Sequence, residues 1–237
     1  MSHEVFSLDE LARHLGRDRR EIEKLANRGR VPGRKVGGVW QFYSMEITRW
    51  LEREMREYSD SELRQIEESQ QQTGELPKSL PVSSILHVET IEVSLQARTK
   101  RSVLESLIEI AGRTWQIWSP SDILKAVQER EELFATAYPG GVALPHPRNP
   151  LPDAHGESIM AFAKTPSGIP FGSEGGGLTD LFFLVLSQDT QEHLQVIARL
   201  GRMFQLPDFL DQLRDQENAQ DTYDLIASAD AEISVMT

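Results

Sequence analysis

A run of six consecutive apolar residues, Leu181 to Leu186, most constrains the fold of this 237-residue chain. A strand with one solvated face alternates apolar and polar residues, whereas a continuous apolar run is typical of a central strand covered on both faces. A second apolar stretch, Ile159 to Ala163, precedes it, and the segment from Gln191 to Phe204 has helical periodicity. Strands that alternate with amphipathic helices predict an α/β domain, with a mixed sheet flanked by helices.

The segment from Gly141 to Arg148 predicts a short buried strand that ends at a histidine. Pro145 and Pro147 flank His146, and proline cannot donate to a strand ladder, so the strand must end there. We therefore expect the imidazole to be presented rather than packed away. An imidazole nitrogen is nucleophilic near neutral pH. Taken alone, the segment also fits a purely structural histidine.

Two further side chains point to phosphate chemistry. Arg130 follows a helical pattern that begins at Ser119, and a guanidinium offers a fork of donors that matches phosphate oxygens. His193 lies in the first turn of the helix that follows the long apolar run, where free amides and the helix dipole favour anions. A nucleophilic imidazole, a guanidinium and a second imidazole together predict a site for a phosphoryl group.

These motifs resemble a known family. Arg130-Glu131, then Thr136, then Gly-Val-Ala-Leu-Pro-His and a later His-Leu are similar to the enzyme IIA domain of the phosphoenolpyruvate-dependent sugar phosphotransferase system, of the fructose/mannitol and nitrogen-regulatory type. The resemblance covers residues 81 to 233. It implies a histidine phosphocarrier in which His146 accepts a phosphoryl group from a small phosphohistidine carrier protein. By the same resemblance, Arg130 would neutralise the phosphoryl oxygens and His193 would hydrogen-bond them.

Composition excludes several other classes of protein. There is no cysteine, which excludes disulfides, thiolate metal sites, cysteine nucleophiles and an attached cysteine-phosphorylated transport domain. No apolar run is long enough to cross a bilayer, so we expect a cytoplasmic protein without membrane insertion or a fused permease. The glycines between Gly172 and Gly177 lack the Gly-Lys-Ser/Thr of a nucleotide loop. His146 and His155 lack a nearby third ligand, so we expect neither a cofactor nor a metal.

The N-terminal segment differs in charge from the rest of the chain. The formal net charge is −12, yet residues 13 to 35 contain nine Lys or Arg and only three acidic residues. A basic end on an acidic protein predicts that this end meets an anion.

The same segment predicts a small winged helix-turn-helix domain. Ser7 and Glu10 form a capping-box pattern for a first helix, and Asp18 can cap a second helix from Arg19 to Arg28. Gly37-Gly38 signals a hairpin, with Val36 facing the core and Lys35 outward. A third helix from residue 44 has its apolar stripe at Ile47, Trp50, Leu51 and Met55.

Residues 4 to 56 resemble the excisionase-like and MerR-like DNA-binding domains. The resemblance implies a recognition helix within residues 17 to 28, in the major groove, and a wing at residues 34 to 40. The candidates for contact with base edges are Arg20, Lys24 and Asn27. The candidates for contact with the DNA backbone are Arg17, Arg19, Arg28, Arg34 and Lys35. Such small domains bind DNA usefully as pairs, so a homodimer is expected.

The sequence thus divides into a winged helix-turn-helix domain at residues 1–57, a polar helix and linker at 58–80, and an enzyme IIA-like phosphotransfer domain at 81–237. The first hypothesis is a transcription regulator in which phosphorylation of His146 is coupled to DNA binding. The second is a phosphocarrier that serves a sugar transporter subunit. The third is a regulator that binds a target protein regardless of phosphorylation.

Overall fold

The N-terminal domain forms a small three-helix unit with a three-stranded sheet. A computed structural model of the protein describes residues 5–72 and 80–235. We call residues 5–57 the head and residues 81–235 the body. The elements of the head are β1 (Val5–Phe6), α1 (Leu8–His14), α2 (Arg19–Asn27), β2 (Arg34–Val36), β3 (Val39–Tyr43) and α3 (Ser44–Glu54). The sheet has the order β1-β3-β2, and both pairings are antiparallel.

Local signals in the sequence account for the helix starts and the turn of the head. The Ser7 hydroxyl accepts from the amide of Glu10, and the Glu10 carboxylate accepts from the amide of Ser7, which confirms the predicted capping box. The Asp18 carboxylate caps α2 by accepting from the amide of Arg20 at 2.8 Å. Gly37 and Gly38 have φ of 58° and 83°, the left-handed conformations that a two-residue hairpin turn requires.

The prediction that Val36 faces the core is wrong. Val36 pairs with Val39 at the tip of the hairpin, and these side chains are 54% and 62% exposed. The helices of the head therefore do not cover this pair.

The predicted polar helix is α4 (Asp60–Gln72), which extends into the predicted linker and in which Leu63 and Ile66 are buried. The sequence predicted a linker from residue 69, but residues 69–72 are helical. Ser69 and Gln70 are buried because their side chains each donate to the carbonyl of His14, both at 2.8 Å. The remainder of the predicted linker, residues 73–79, lies outside the described residues.

The body is the predicted α/β domain with a mixed sheet. Its elements are α5 (Val82–Ile85), β4 (Leu86–Glu92), α6 (Lys100–Ala111), α7 (Pro120–Leu133), β5 (Ala137–Tyr138), β6 (Val142–Ala143), β7 (Ile159–Pro170), β8 (Leu178–Leu186), α8 (Thr190–Met203), α9 (Phe209–Asp215) and α10 (Ala219–Val235). The strand order is β4-β7-β8-β6-β5. The pairs β4–β7 and β6–β8 are parallel, and the other two pairs are antiparallel.

The long apolar run forms the centre of this sheet, as predicted. All six residues from Leu181 to Leu186 are fully buried. Phe183 and Val185 belong to the core cluster beneath α8, whereas Phe182 and Leu184 belong to the cluster beneath α6. The continuous apolar pattern therefore reflects helices that cover both faces.

Helix α4 is held against the body by buried ion pairs. Glu67 accepts from Arg199 and, at 2.7 Å, from Arg202, both on α8. Arg199 also pairs with Asp230 of α10, and Arg202 pairs with Asp60 at 2.9 Å. All these partners except Asp60 are buried. This network fixes α4 to α8.

Candidate active site

His146 lies just after β6, where the two prolines end the strand. The amide of Val185 donates to the carbonyl of Pro145 at 2.9 Å, which ties this segment to the central strand. Nδ1 of His146 lies 2.7 Å from the carbonyl oxygen of Leu144. A carbonyl oxygen can only accept, so Nδ1 carries the proton and the lone pair of the neutral ring is on Nε2. Burial lowers the pKa of His146, which favours this neutral, nucleophilic form.

The structure brings the three predicted site residues together. The ring centroids of His146 and His193 are 4.6 Å apart. Arg130, in the last turn of α7, donates through Nη1 to the carbonyl of Phe134 at 2.9 Å, and its charge is one of the effects that lower the pKa of His146. Arg130 and both histidines are buried.

Glu131 stabilises the positions of Arg130 and His146 through contacts outside the cluster. Its carboxylate accepts from the amide of Thr136 at 3.1 Å and from the Thr136 hydroxyl at 2.6 Å, and it pairs with Lys100 at 2.9 Å. The carbonyl of Thr136 in turn accepts from the amide of Leu144 at 3.1 Å. Glu131 therefore connects the helix that carries Arg130 to the strand that presents His146.

Glu52 of the head is the site residue that the sequence did not reveal. Its Oε2 lies 2.7 Å from Nη2 of Arg130 and 3.4 Å from Nε2 of His146, and its Oε1 lies 3.1 Å from Nε2 of His193. Burial opposes ionisation of Glu52, but the imidazoles of His146 and His193 beside it hold its carboxyl pKa well below the usual range. The permanent charge of Arg130 favours the same ionised form.

The prediction that the imidazole is presented rather than packed away is therefore wrong for this conformation. His146 is only 3% exposed, because α3 of the head covers the end of the strand. The covering group is a carboxylate, so the cluster binds an anion in the structure.

The same cluster could also ligate a metal. Donor atoms of Glu52, His146 and His193 all lie within 4.8 Å of one another. This set could not be seen in the sequence, because Glu52 is remote from both histidines along the chain. Arg130 donates to the same carboxylate, and its positive charge opposes a divalent cation at this point. The cluster therefore suits an anion better than a metal.

The predicted DNA-contacting residues fall into two groups in the structure. Arg20, Lys24, Asn27 and Arg28 are exposed on α2, and within the described residues no ion pair involves the three cations among them. Lys35 reaches Asn27 at 3.3 Å and lies over the ring of Trp40.

The other candidates are engaged within the head and its flank. Arg17 pairs with Glu21 at 3.0 Å and lies over the ring of Tyr58, with its side chain only 14% exposed. Arg19 pairs with Asp9 at 2.8 Å, and Arg34 pairs with Glu46 at 3.1 Å, while both cations remain more than half exposed.

Comparison with known proteins places this site in a family. Residues 84–229 match the family described as "Phosphoenolpyruvate-dependent sugar phosphotransferase system, EIIA 2", more than half of the chain. The chain belongs to the EIIA 2 family. Residues 5–55 of this EIIA 2 protein match a second family, described as "Helix-turn-helix domain".

Relatives of the EIIA 2 domain include a nitrogen regulatory protein of Bradyrhizobium diazoefficiens, which is 29% identical over 152 residues, covering 62% of this chain and 95% of the relative. A fructose-specific EIIA component of Haloferax volcanii is 27% identical over 148 residues, 62% of this chain and 94% of that protein. The crystal structure of the nitrogen regulatory protein IIA-Ntr from Neisseria meningitidis has the same fold, with a TM-score of 0.56 and 23% identity, covering 61% of this chain and 98% of that one. Within the described residues, no helix of this EIIA 2 protein is both long and apolar enough to span a membrane.

Proposed function

We propose that this chain is a cytoplasmic regulator linked to the phosphotransferase system, which accepts a phosphoryl group on His146 and couples that event to DNA binding by the head. The donor is the phosphohistidine of a small carrier protein. The observation that carries the proposal is the convergence of His146, Arg130 and His193 on one anionic group, the Glu52 carboxylate.

The hydrogen bonding of His146 supports the transfer step. The Nε2 lone pair attacks phosphorus, and the nitrogen–phosphorus bond of the donor breaks with its electron pair returning to the donor imidazole. The proton on Nδ1 stays on His146, held by the carbonyl of Leu144. Arg130 neutralises charge on the phosphoryl oxygens, and His193 donates to one of them through Nε2. Neither residue needs to transfer a proton to the reacting atoms, since positioning and charge neutralisation carry most of phosphoryl transfer.

The exposed face of α2 supports the DNA-binding part of the proposal. Arg20, Lys24 and Asn27 lie along this face at the spacing of one and two helical turns, and Arg28 continues it. Clustered cations neutralise DNA phosphates, and side chains on such a stripe reach base edges in the major groove.

Intact-protein mass spectrometry at mildly alkaline pH tests the phosphoryl-accepting residue. The full chain is incubated with phosphoenolpyruvate, the general phosphotransferase enzyme and the small histidine carrier. We expect one acid-labile phosphoryl adduct on the wild type and on His87→Gln, a matched change at a half-buried histidine outside the site. We expect none on His146→Gln.

Two results would contradict the proposal. An adduct that persists in His146→Gln would assign the phosphoryl group to another residue. No adduct on the wild type or on the Glu52→Ala variant, under conditions that phosphorylate a known EIIA protein, would rule out phosphotransfer from this donor.

A further inference from the structure

The reactive atom of the site is enclosed by the head. Nε2 of His146 is buried, and within the described residues it has no hydrogen-bond partner, although the Glu52 carboxylate lies 3.4 Å away. A phosphorus atom must come within bonding distance of this nitrogen, and the Glu52 carboxylate already occupies space 3.4 Å from it. While α3 is in place, a donor protein has no path to the nucleophile.

A single face of the head makes this cover. Ser44, Thr48, Glu52 and Arg56 are spaced four residues apart, which places them on one side of α3 and its continuation. Ser44 and Thr48 line a small cavity together with His193 and the residues that follow His146, which are Pro147, Arg148, Asn149 and Pro150.

Arg56 closes the other end of this face. Its Nη2 donates to the carbonyl of Ala135 at 2.6 Å, and its guanidinium lies 4.8 Å from the ring centroid of Phe134 and 5.2 Å from that of Tyr138. All three partners belong to the loop and strand between Arg130 and His146. The head therefore contacts the body on both sides of the Glu52 carboxylate, through Ser44 and Thr48 on one side and Arg56 on the other.

Charge makes the two occupants of the site incompatible. A phosphoryl group brings a charge of about −1.5 to −2 and three acceptor oxygens. On Nε2 of His146 it would compete with Glu52 for Arg130 and His193, and the two anions would repel each other inside a buried site. The Glu52 carboxylate can therefore bind Arg130 and His193 only when the phosphoryl group is absent.

We propose that Glu52 is an intramolecular ligand of the phosphoryl site, so that the docked head and a phosphorylated His146 exclude each other. This inference rests on the proposed function, because it describes how that same site is regulated. The docked head blocks the donor, and phosphorylation releases the head from the body. Because such coupling is reciprocal, any ligand that binds only the released head raises phosphorylation of His146.

The first test compares initial rates of phosphorylation in the full chain. We expect Glu52→Ala to be phosphorylated at least about tenfold faster than the wild type, since loss of one partner of a buried ion pair strongly destabilises the contact. Arg56→Ala should also be phosphorylated faster than the wild type, because it removes contacts between the head and the body without changing the residues around His146. Glu54→Ala is the matched control: it removes an exposed acid from the same helix and should keep the wild-type rate.

The second test needs no phosphoryl donor. The chain has no cysteine, so cysteines placed at Val36 on the wing and Lys125 on α7, both well exposed, carry a unique pair of fluorophores. We expect energy transfer between them to change in the Glu52→Ala variant and, in the same direction, on phosphorylation of the otherwise wild-type chain. Glu54→Ala should leave it unchanged.

The outcomes separate this inference from the proposed function. Equal phosphorylation rates in the wild type and Glu52→Ala would overturn the inference and leave the phosphocarrier intact. If no variant accepts a phosphoryl group, the phosphocarrier proposal fails, and mutual exclusion fails with it. In that case, a change in energy transfer in Glu52→Ala would support only one part of the inference, that Glu52 holds the head against the body. Energy transfer that does not change in Glu52→Ala would overturn this part as well.

Discussion

Oε2 of Glu52 lies 3.4 Å from Nε2 of His146, so an acid from the N-terminal domain faces the ring nitrogen of His146 that carries the lone pair. The two residues belong to units that match different families. Their contact joins the helix-turn-helix domain to the EIIA 2 domain at the atom that we propose accepts the phosphoryl group. A signal at His146 therefore has a direct physical route to the position of the head.

Arg130 is predicted to be required for phosphoryl acceptance independently of its pairing with Glu52. In the Glu52→Ala background, where docking no longer interferes, Arg130→Ala should lower the phosphorylation rate by about 100-fold or more, because a main cation for the phosphoryl oxygens is lost. Arg130→Lys should recover part of the rate, since it keeps the charge without the fork of donors. Quench-flow mass spectrometry measures these rates. An unchanged rate in Arg130→Ala would show that the guanidinium serves only to hold Glu52.

The exposed stripe on α2 is predicted to read DNA sequence. On a binding site selected from a random pool, Lys24→Ala should weaken binding by about 1–3 kcal/mol and relax the preference at one base pair. Arg28→Ala should weaken binding to all sequences alike and reduce the slope of log K against log salt by about 1. Fluorescence anisotropy at several salt concentrations measures both. Lys125→Ala, which removes an exposed cation from the body, should change neither.

Glu67 is predicted to stabilise the fold through its buried arginine partners. Glu67→Ala should lower the free energy of unfolding by about 3–5 kcal/mol, because Arg199 and Arg202 would lose a shared buried carboxylate. Urea denaturation followed by circular dichroism measures this change. Glu68→Ala, at an exposed position one residue along the same helix, should stay within about 0.5 kcal/mol of the wild type. Equal effects of the two substitutions would mean that α4 is not fixed to α8 in solution.

His14 is predicted to make stability depend on pH. Burial against Phe6 lowers the pKa of His14 from 6.5 to about 4. Between these values the unfolded chain binds a proton that the folded chain does not, so stability falls as the pH is lowered from about 6.5 to about 4. At about 1.4 kcal/mol per pH unit over about 2.5 units, the loss is at most about 3.5 kcal/mol.

The measurement for His14 is the difference in unfolding free energy between the wild type and His14→Phe across this pH range. His146 also has a lowered pKa, and the difference cancels its contribution and that of other titrating groups. We expect the wild type to lose more stability than the variant as the pH falls. Parallel curves would contradict a buried, neutral His14.

Local sequence patterns predicted much of the candidate site. The prolines on both sides of His146 predicted where its strand ends. The apolar run at 181–186 predicted a central strand covered on both faces. His193 lies in the first turn of the helix that follows this run, so it was expected near the carboxyl end of the same strand. Arg130 followed from its family motif. The register of the hairpin tip was missed at Val36, because alternation shows which side chains share a face but not where the covering helices end.

Glu52 could not be identified in this way. Along α3 it stands beside the apolar residue Leu51 and among charged residues, which is the usual pattern of a solvated helix face. The spacing of Ser44, Thr48, Glu52 and Arg56 was the one available signal, and such a polar stripe is common on exposed helices. Only the contacts of this stripe with the body distinguish it from an ordinary exposed helix face.

The sequence by itself determined most of the elements, the turn glycines and the helix caps, because each depends on neighbours within a few positions. The tertiary structure decided that α4 is fixed against the body and that a head carboxylate fills the site. Both outcomes depend on charge pairing between residues far apart in the chain, here Glu67 with Arg199 and Glu52 with Arg130. A buried charge is stable only beside its partner, and that partner is set by the packing of whole domains rather than by local sequence.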